Sequence, residues 1–241
     1  MTTPGDYPQS AMKEGLVLDR VVLLGRTLEE YRRYFALDLD QIRGKAILDV
    51  AAGVGSFCAE ARALGLDVTA FDPIYGWNWD EIERRCGPDL DHVLDAIRGL
   101  KIYRWEFYRS PENLRGLREK AYRTFLADYR TGRGTRYVAG SLPELPFSDA
   151  RFDLTLASYF LLVYEDQFDY EFHRRSVLDL MRVTREEARL YPIVNFEARR
   201  CSYIGHFKSD PSLGRFSFEE VGTDFEFLAG SNSFLRIRHR D

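Results

Sequence analysis

The sequence predicts an α/β protein in which helices cover both faces of a mostly parallel, seven-stranded sheet. Short apolar runs alternate with segments of helical periodicity along most of the chain. The C-terminal stretch instead contains two apolar runs joined by Gly230-Ser231-Asn232, which predicts a terminal antiparallel hairpin. A long helical segment, residues 75–135, interrupts the alternation after the second strand. We therefore expect a three-layer sandwich with one helical insertion.

Length and composition favour a single domain spanning residues 1–241. The chain has 30% charged and 45% hydrophobic residues, which is ordinary for a globular protein. A net charge of -4 argues against a surface that binds nucleic acid all over, although a local basic face remains possible. Three scattered cysteines predict neither a disulfide framework nor a metal site, and they favour a reducing, cytoplasmic location. The N-terminal residues predict no export signal, and Asp19 and Arg20 interrupt the one apolar stretch that could have suggested a membrane span.

Residues 1–45 are expected to form an N-terminal cover that is partly helical. Residues 1–10 carry no periodic pattern, and a helix is predicted from Thr27, a favourable N-cap, to Leu37. The apolar run AILDV, residues 46–50, predicts a strand buried on both faces. An alanine-rich helix over residues 56–64 follows, and Gly65 is expected to end it.

The second strand, DVTAFD, ends at Asp72 because Pro73 cannot continue it. The insertion of residues 75–135 is expected to break at Gly87-Pro88 and again at Ser110-Pro111. The remaining strands are predicted from their apolar runs: RYVAG (136–140), DLTLA (153–157), ARLYPIV (188–194), DFEFLA (224–229) and SFLRIRH (233–239).

The turn after the first strand, DVAAGVG, is poor in side chains. In an open α/β sheet a ligand binds beyond the carboxyl ends of the strands, and such a turn lets it approach the backbone. A tight turn that merely packs a helix onto the sheet is the alternative. A dinucleotide site would need G-x-G-x-x-G, whereas this chain has Ala51, Gly53 and Ser56 at those positions. An NAD-dependent oxidoreductase therefore requires that the missing glycine be tolerated.

These residues resemble the class I S-adenosylmethionine-dependent methyltransferase family. Its first motif, an acidic residue followed by alternating glycines, is matched by Asp49, Gly53 and Gly55. Ala51 replaces the first glycine, and we expect the backbone there to avoid positive φ. The stretch GSLPELPFSDARFDLTLASYFLL is similar to the third-to-fourth-strand region of the family, and Asp72 supplies the acidic residue after the second strand. The resemblance implies a Rossmann-like fold, methyltransferase activity and S-adenosylmethionine as cofactor, with S-adenosylhomocysteine as product.

The resemblance also implies where the cofactor lies. Asp72 is expected to accept hydrogen bonds from both ribose hydroxyls, and the backbone at Gly53 to approach the sugar and the methionine part. Asp49 would neutralise the ammonium, directly or through water. Ser141, a hydroxyl where the family usually has an acid, would contact the adenine. The full predicted set is Asp49, Ala51, Gly53, Gly55, Asp72, Pro73, Ile74, Ser141, Leu142, Ser158 and Tyr159.

Methyl transfer from a sulfonium is an in-line displacement, so the protein must mainly align the acceptor and exclude water. No metal is required. Tyr159, Tyr164 and His173 are the candidate catalytic residues: Tyr159 for positioning and His173 as a base for an alcohol acceptor. A structural role for His173 on an amphipathic helix is the alternative. The chain lacks N-P-P-Y, D-P-P-Y and Pro-Cys motifs, which lowers the weight of common nucleic-acid methylation chemistries.

Residues 98–136 contain eleven basic and four acidic residues, a local net charge of +7, interleaved with aromatic residues. This segment could bind RNA, close as a lid over a small anionic or aromatic acceptor, or form a solvated helix face whose aromatic residues pack inward. Three functions therefore remain open: a small-molecule methyltransferase, an RNA methyltransferase, and a cofactor-binding regulator without activity. The C-terminal half resembles bacterial methyltransferases of this size. Oligomeric state is not predicted.

Overall fold

The computed structural model describes residues 22–240. The predictions for residues 1–21, including the irregular start, lie outside this range. Seven strands form one sheet in the order β3-β2-β1-β4-β5-β7-β6. Strands β1 to β5 are parallel, and β7 lies antiparallel between β5 and β6. The strands are β1 (Ala46–Val50), β2 (Asp67–Phe71), β3 (Tyr137–Val138), β4 (Phe152–Ser158), β5 (Thr184–Tyr191), β6 (Phe216–Gly222) and β7 (Ser233–His239). This order confirms the predicted Rossmann-like fold with an antiparallel end.

Six α-helices accompany the strands within residues 22–240. They are α1 (Leu28–Tyr34), α2 (Phe57–Ala63), α3 (Trp79–Ile97), α4 (Pro111–Gly132), α5 (Tyr170–Val183) and α6 (Tyr203–Ser209), with short 3₁₀ helices at Pro73–Gly76 and Pro211–Leu213. The strand order reverses between β1 and β4, and parallel crossovers are right-handed, so α2 and α5 cover opposite faces of the sheet. None of the helices in this part of the chain combines the length and the apolar character needed to cross a membrane.

The predicted start of α1 is confirmed, and its cap is a complete capping box. The Thr27 side chain accepts a hydrogen bond from the Glu30 N–H, and Glu30 Oε2 accepts one from the Thr27 N–H at 2.8 Å. The inward face of α1 is aromatic, and Tyr31, Tyr34 and Phe35 are fully buried. This helix therefore covers the carboxyl edge of the sheet near β1 and β4.

Between β2 and β3 the chain forms the predicted helical insertion, but one expected break is absent. Helix α3 continues through Gly87 and Pro88. A proline inside a helix costs about 3 kcal/mol. The apolar face of α3 buries a row of side chains, each stabilising by about 1.5 to 3 kcal/mol, so packing outweighs the lost hydrogen bond. The second expected break is real, since Ser110 caps α4 and Pro111 occupies its first turn.

The prediction of the last hairpin is wrong in its first strand. The partner of β7 is Phe216–Gly222, whereas residues 224–229 form a loop. In this loop Phe225, Phe227 and Leu228 are buried. The loop pairs with the insertion, because the Arg104 N–H donates to Phe227 O at 2.6 Å and the Ala229 N–H donates to Ile102 O at 2.7 Å. The alternating apolar pattern of these residues predicts a strand, but here their side chains pack against the insertion and not against a neighbouring strand.

The fifth strand also differs from its predicted position, since it runs from Thr184 to Tyr191 and not from 188 to 194. It ends before Pro192, which has no N–H to donate to a neighbouring strand. The start of this strand, TREE, is charged, so it lacks the apolar pattern that predicts a strand. Arg185 and Glu186 are charged because they are exposed.

Candidate functional site

A cavity of about 470 Å³ opens at the carboxyl ends of β1, β2 and β4, where the strand order reverses. Nine of the predicted cofactor residues line it: Ala51, Gly53, Asp72, Pro73, Ile74, Ser141, Leu142, Ser158 and Tyr159. Beyond them the cavity extends into an apolar chamber between the insertion, the loop of residues 225–228 and the segment after β4. The structure thus brings most of the predicted set to one place, and their cofactor role stays a prediction.

The first turn adopts a strained backbone at the cavity wall. Ala51 has φ +54°, so the expectation that it would avoid positive φ is wrong. The Ala52 N–H donates to Phe71 O at 3.3 Å, which ties the turn to the end of β2 and imposes this conformation. Gly53, also at φ +54°, accepts it without a side chain, and a Cβ there would meet no neighbouring atom. The left-handed region costs an alanine about 1 to 2 kcal/mol.

Asp72 follows β2 and caps the 3₁₀ helix of residues 73–76. Its Oδ2 accepts a hydrogen bond from the Gly53 N–H at 2.9 Å, and its Oδ1 accepts one from the Ile74 N–H at 3.0 Å. The side chain lines the cavity but is largely buried, and this burial raises its pKa to about 6 against the opposing hydrogen bonds. Each oxygen retains acceptor capacity, so the carboxylate is held in place and can accept two further hydroxyl donors.

Asp49 lies behind the cavity wall. It is 1% exposed, and Tyr31, which does line the cavity, donates to its Oδ1 at 2.9 Å. Ser158 Oγ in turn donates to the Tyr31 hydroxyl at 2.8 Å. Burial raises the pKa of Asp49 well above its usual range. A hydrogen-bonded chain thus runs from Ser158 through Tyr31 to Asp49, and the prediction that Asp49 neutralises a ligand ammonium, directly or through water, stays a prediction.

Gly55 likewise does not line the cavity. A Cβ at this position would lie 3.0 Å from Ala52 O and 3.3 Å from Arg26 O. The glycine is required because the backbone of residue 26 packs against the turn, where the Ser56 N–H donates to Arg26 O at 2.8 Å. Its role is to let the N-terminal segment approach the first turn.

Arg26 lines the cavity but belongs to no recognisable motif, so sequence reasoning missed it. Its Nη1 donates to Leu24 O at 2.7 Å, and its guanidinium lies 4.0 Å from the centre of the Tyr159 ring. Its Nε is buried and contacts no acceptor among residues 22–240. Arg26 therefore brings a cation to the cavity wall beside the first turn.

The three predicted catalytic residues have different positions. Tyr159 and Tyr164 line the cavity. Tyr159 follows β4 with φ +50°, a conformation that bulky residues adopt mainly at constrained sites. Burial raises the pKa of Tyr159, although Arg26 opposes the shift, and burial raises the pKa of Tyr164 to about 12. Both hydroxyls therefore remain protonated at neutral pH and can donate hydrogen bonds.

His173 does not reach the cavity, so its predicted role as a base is wrong. The side chain is fully buried in α5. Its Nδ1 lies 2.8 Å from Asp169 O and its Nε2 lies 2.5 Å from Leu161 O. Both ring nitrogens are thus occupied by backbone carbonyl groups, and the residue fixes the start of α5 against the segment after β4. The position of His173 on an amphipathic helix, which favoured the alternative of a structural role, was the signal in the sequence.

Comparison with known proteins gives one relative in sequence. An uncharacterized protein of Methanocaldococcus jannaschii, MJ0045, is 37% identical over 225 residues, which cover 92% of this chain and 98% of the relative. The chain belongs to the family of this archaeal protein. The expectation of a bacterial type is not supported, because this relative is archaeal. No protein-family model matches the chain.

Solved structures with similar shape include methyltransferases. Magnesium protoporphyrin IX methyltransferase of Synechocystis, with bound S-adenosylmethionine, matches with a TM-score of 0.45 and 11% identity, covering 88% of this chain and 78% of that one. A methyltransferase of Methanosarcina mazei matches with a TM-score of 0.39 and 16% identity, covering 82% and 93%. Likeness at this level says nothing about substrate, so the activity must be argued from the cavity.

Proposed function

We propose that this protein is an S-adenosylmethionine-dependent methyltransferase that acts on a small molecule. The observation that carries the proposal is the position of Asp72, a buried carboxylate at the end of β2 held by two backbone N–H groups on the wall of a cavity. A carboxylate held in this way suits a ribose diol, because each oxygen can accept one hydroxyl. The strained, side-chain-poor turn of residues 51–53 lies beside it.

Residues that line the cavity would hold the ribose, the adenine and the amino-acid carboxylate of the cofactor. Asp72 would hold the ribose, and Ser141 and Leu142 would contact the adenine. Arg26, a cation on the cavity wall, would pair with the amino-acid carboxylate. Tyr31 and Ser158 supply hydroxyls near the same end of the cavity.

The bound cofactor supplies an electrophilic methyl group on a sulfonium. The chain would contribute by orienting the acceptor and by excluding water from the apolar chamber. Tyr159 lines the cavity and would position the acceptor. Because His173 lies outside the cavity, no histidine among the described lining residues can act as a base. We therefore expect an acceptor atom that is nucleophilic near neutral pH without a strong general base.

The insertion favours a small acceptor over RNA. Tyr103 and Tyr108 are buried, and the Trp105 ring packs edge-on against Phe227 at 5.2 Å, so these rings are engaged within the fold. Some basic side chains of α4 and the segment after it are paired with acids, as Arg115 is with Asp91 and Arg136 is with Asp128, both at 2.6 Å. Stacking platforms for bases require exposed rings. An RNA that bound at low salt and dissociated steeply with added salt would contradict this argument.

The proposal is tested by calorimetric titration with S-adenosylhomocysteine. We expect wild-type protein to bind it and Asp72→Ala to lose most of the affinity, because the ribose loses its acceptor. Asp153→Ala is the control, since Asp153 caps the start of β1 away from the cavity. Undiminished binding by Asp72→Ala would reject the assigned site. Formation of S-adenosylhomocysteine from S-adenosylmethionine with any acceptor would exclude a purely regulatory role.

A further inference from the structure

Four of the phenylalanines that line the cavity are only partly buried. Phe160 and Phe168 lie in the segment after β4, Phe172 lies in α5, and Phe196 lies in the segment after β5. We call these four residues the phenylalanine patch. Core phenylalanines such as Phe57 are instead fully buried. An apolar surface that stays partly uncovered on the wall of a cavity is typical of a ligand site.

The rings of the phenylalanine patch form one continuous surface. The Phe168 ring stacks on Phe172, with ring centres 4.4 Å apart, and Phe160 lies 5.6 Å from Phe168. Tyr164 connects Phe196 to this group, since its ring centre lies 5.7 Å from that of Phe160 and 4.9 Å from that of Phe196. A phenylalanine side chain has no polar atom, so whichever part of these rings meets a ligand makes an apolar contact. Ring pairs also attract each other beyond the burial of their surface, which favours an aromatic ligand.

The phenylalanine patch lies on the acceptor side of the sheet. The cofactor is expected at the turn after β1 and at Asp72 after β2, whereas the patch follows β4 and β5, on the other side of β1 in the sheet. Phe160 also comes directly after Tyr159, the residue proposed to position the acceptor. A molecule that contacts the patch would therefore lie beside the cofactor and not in its place.

Two of the arginines on the cavity wall are already neutralised by buried carboxylates. Arg85 pairs with Asp89 at 3.0 Å, and Asp89 is 1% exposed. Arg118 pairs with Glu30 at 2.6 Å, and Glu30 is fully buried. These guanidinium groups therefore offer no uncompensated charge to an anionic acceptor, and transferring an unpaired charge from water into an apolar chamber is costly.

The other two charged side chains on the described part of the wall, Arg26 and Asp72, are the ones expected to hold the cofactor. No carboxylate of the described wall is then left to pair with a cationic acceptor. Aromatic faces do attract cations, but Arg26 and the sulfonium of the cofactor would both repel one. The charges on the wall thus disfavour ions of either sign.

We propose that the methyl acceptor is an uncharged aromatic compound whose ring packs against the phenylalanine patch. This inference deepens the proposed function and rests on it in calling the compound an acceptor. The patch supplies shape and apolar contact, and the absence of an available counter-charge on the described wall supplies the selection against ions.

The charge selection is tested with three compounds that share a naphthalene body. Wild-type protein saturated with S-adenosylhomocysteine is titrated calorimetrically, at neutral pH, with 2-naphthalenemethanol, 2-naphthoate and 2-naphthylmethylammonium. We expect the alcohol to bind about tenfold or more tightly than either ion, because only the ions lose hydration without gaining a partner. Tighter binding of the carboxylate or of the ammonium, or no binding of the alcohol, would overturn the inference.

The role of the rings is tested with decahydro-2-naphthalenemethanol, the saturated form of the same alcohol. Wild-type protein should bind the aromatic alcohol about threefold or more tightly than the saturated one. Phe168→Leu and Phe196→Leu should reduce this difference and keep the affinity for S-adenosylhomocysteine. Phe218→Leu is the matched control, because Phe218 lies in β6, is also partly buried and does not line the cavity.

Equal affinity of wild-type protein for the aromatic and the saturated alcohol would overturn the claim of an aromatic acceptor, and so would an unchanged difference in both patch variants. The wild-type comparisons need no variant, so they decide the question even if a variant does not fold. Absence of S-adenosylhomocysteine binding would count against the proposed function, whereas the same compounds titrated without it still test the phenylalanine patch.

Discussion

Cofactor affinity should fall as the pH is lowered through about 6, because Asp72 must be ionised to accept two hydroxyl donors. Burial raises the pKa of Asp72 from 3.8 to about 6 in the free protein. Two hydroxyl donors stabilise the charged form, so ligand binding lowers this pKa. The affinity therefore reaches its plateau about one pH unit above this pKa and is lost at lower pH as Asp72 takes up a proton.

The size of the effect follows from the free-protein pKa. At one pH unit below it, about nine tenths of Asp72 is protonated, so the dissociation constant at pH 5 should be about tenfold weaker than its plateau value at neutral pH. S-adenosylhomocysteine is the suitable ligand, measured calorimetrically from pH 5 to 7. Over this range its own carboxylate and ammonium groups keep their charges.

Two variants separate Asp72 from other titrating groups. Asp72→Asn should bind weakly and with little dependence on pH. Asp153→Asn should keep the wild-type profile, because Asp153 lies away from the cavity and its pKa is lowered, despite burial, by the Ala46 N–H and Arg185. An affinity that stays constant from pH 7 to pH 5, or a tenfold change that persists in Asp72→Asn, would refute the reasoning.

Three further predictions concern the fold around the site. Ala51→Gly should stabilise the ligand-free protein by up to about 1 kcal/mol, because glycine adopts positive φ without strain. Ala61→Gly in α2 should instead destabilise it by about 1 kcal/mol or more. Urea unfolding measures both values, and an equal loss of stability in the two variants would contradict the claim that Ala51 is strained. Cys58, Cys86 and Cys201 are buried, and burial raises the pKa of each thiol to about 12. Iodoacetamide at pH 8 should therefore alkylate them only after the protein unfolds. Rapid labelling of the folded protein would disprove this prediction. Phe227→Ala should lower the free energy of unfolding by about 3 to 5 kcal/mol, because Phe227 packs against the insertion. Leu64→Ala, at an exposed position, should change it by less than about 0.5 kcal/mol. If thermal unfolding gave similar values for the two variants, the loop would contribute little to stability.

Local patterns in the sequence were sufficient for the cofactor end of the cavity. The residues of the first turn and Asp72 each follow directly after a buried strand, and parallel strands place their carboxyl ends at one edge. Their meeting could therefore be predicted from strand order alone. The sign of φ at Ala51 could not, because it depends on the hydrogen bond from the next residue to the end of β2.

The acceptor end of the cavity lies beyond such patterns. Arg26, Arg118 and Phe227 come from the N-terminal segment, the insertion and the loop before β7, and no local spacing relates them. Periodicity also assigned residues 224–229 to a strand, because an aromatic alternation has the same form whether it faces a sheet or an insertion.

The sequence by itself determined the α/β class with a mostly parallel sheet, the edge of the sheet where a ligand is expected and the carboxylate expected to hold its ribose, since these follow from residues adjacent in the chain. Only the tertiary structure decided that His173 is turned away from the cavity, that Tyr31 stands between Asp49 and the cavity, and that Arg26 and Phe227 join its wall. The physical reason is that burial and hydrogen-bond saturation are properties of packed neighbours, and the neighbours of these residues are distant in sequence.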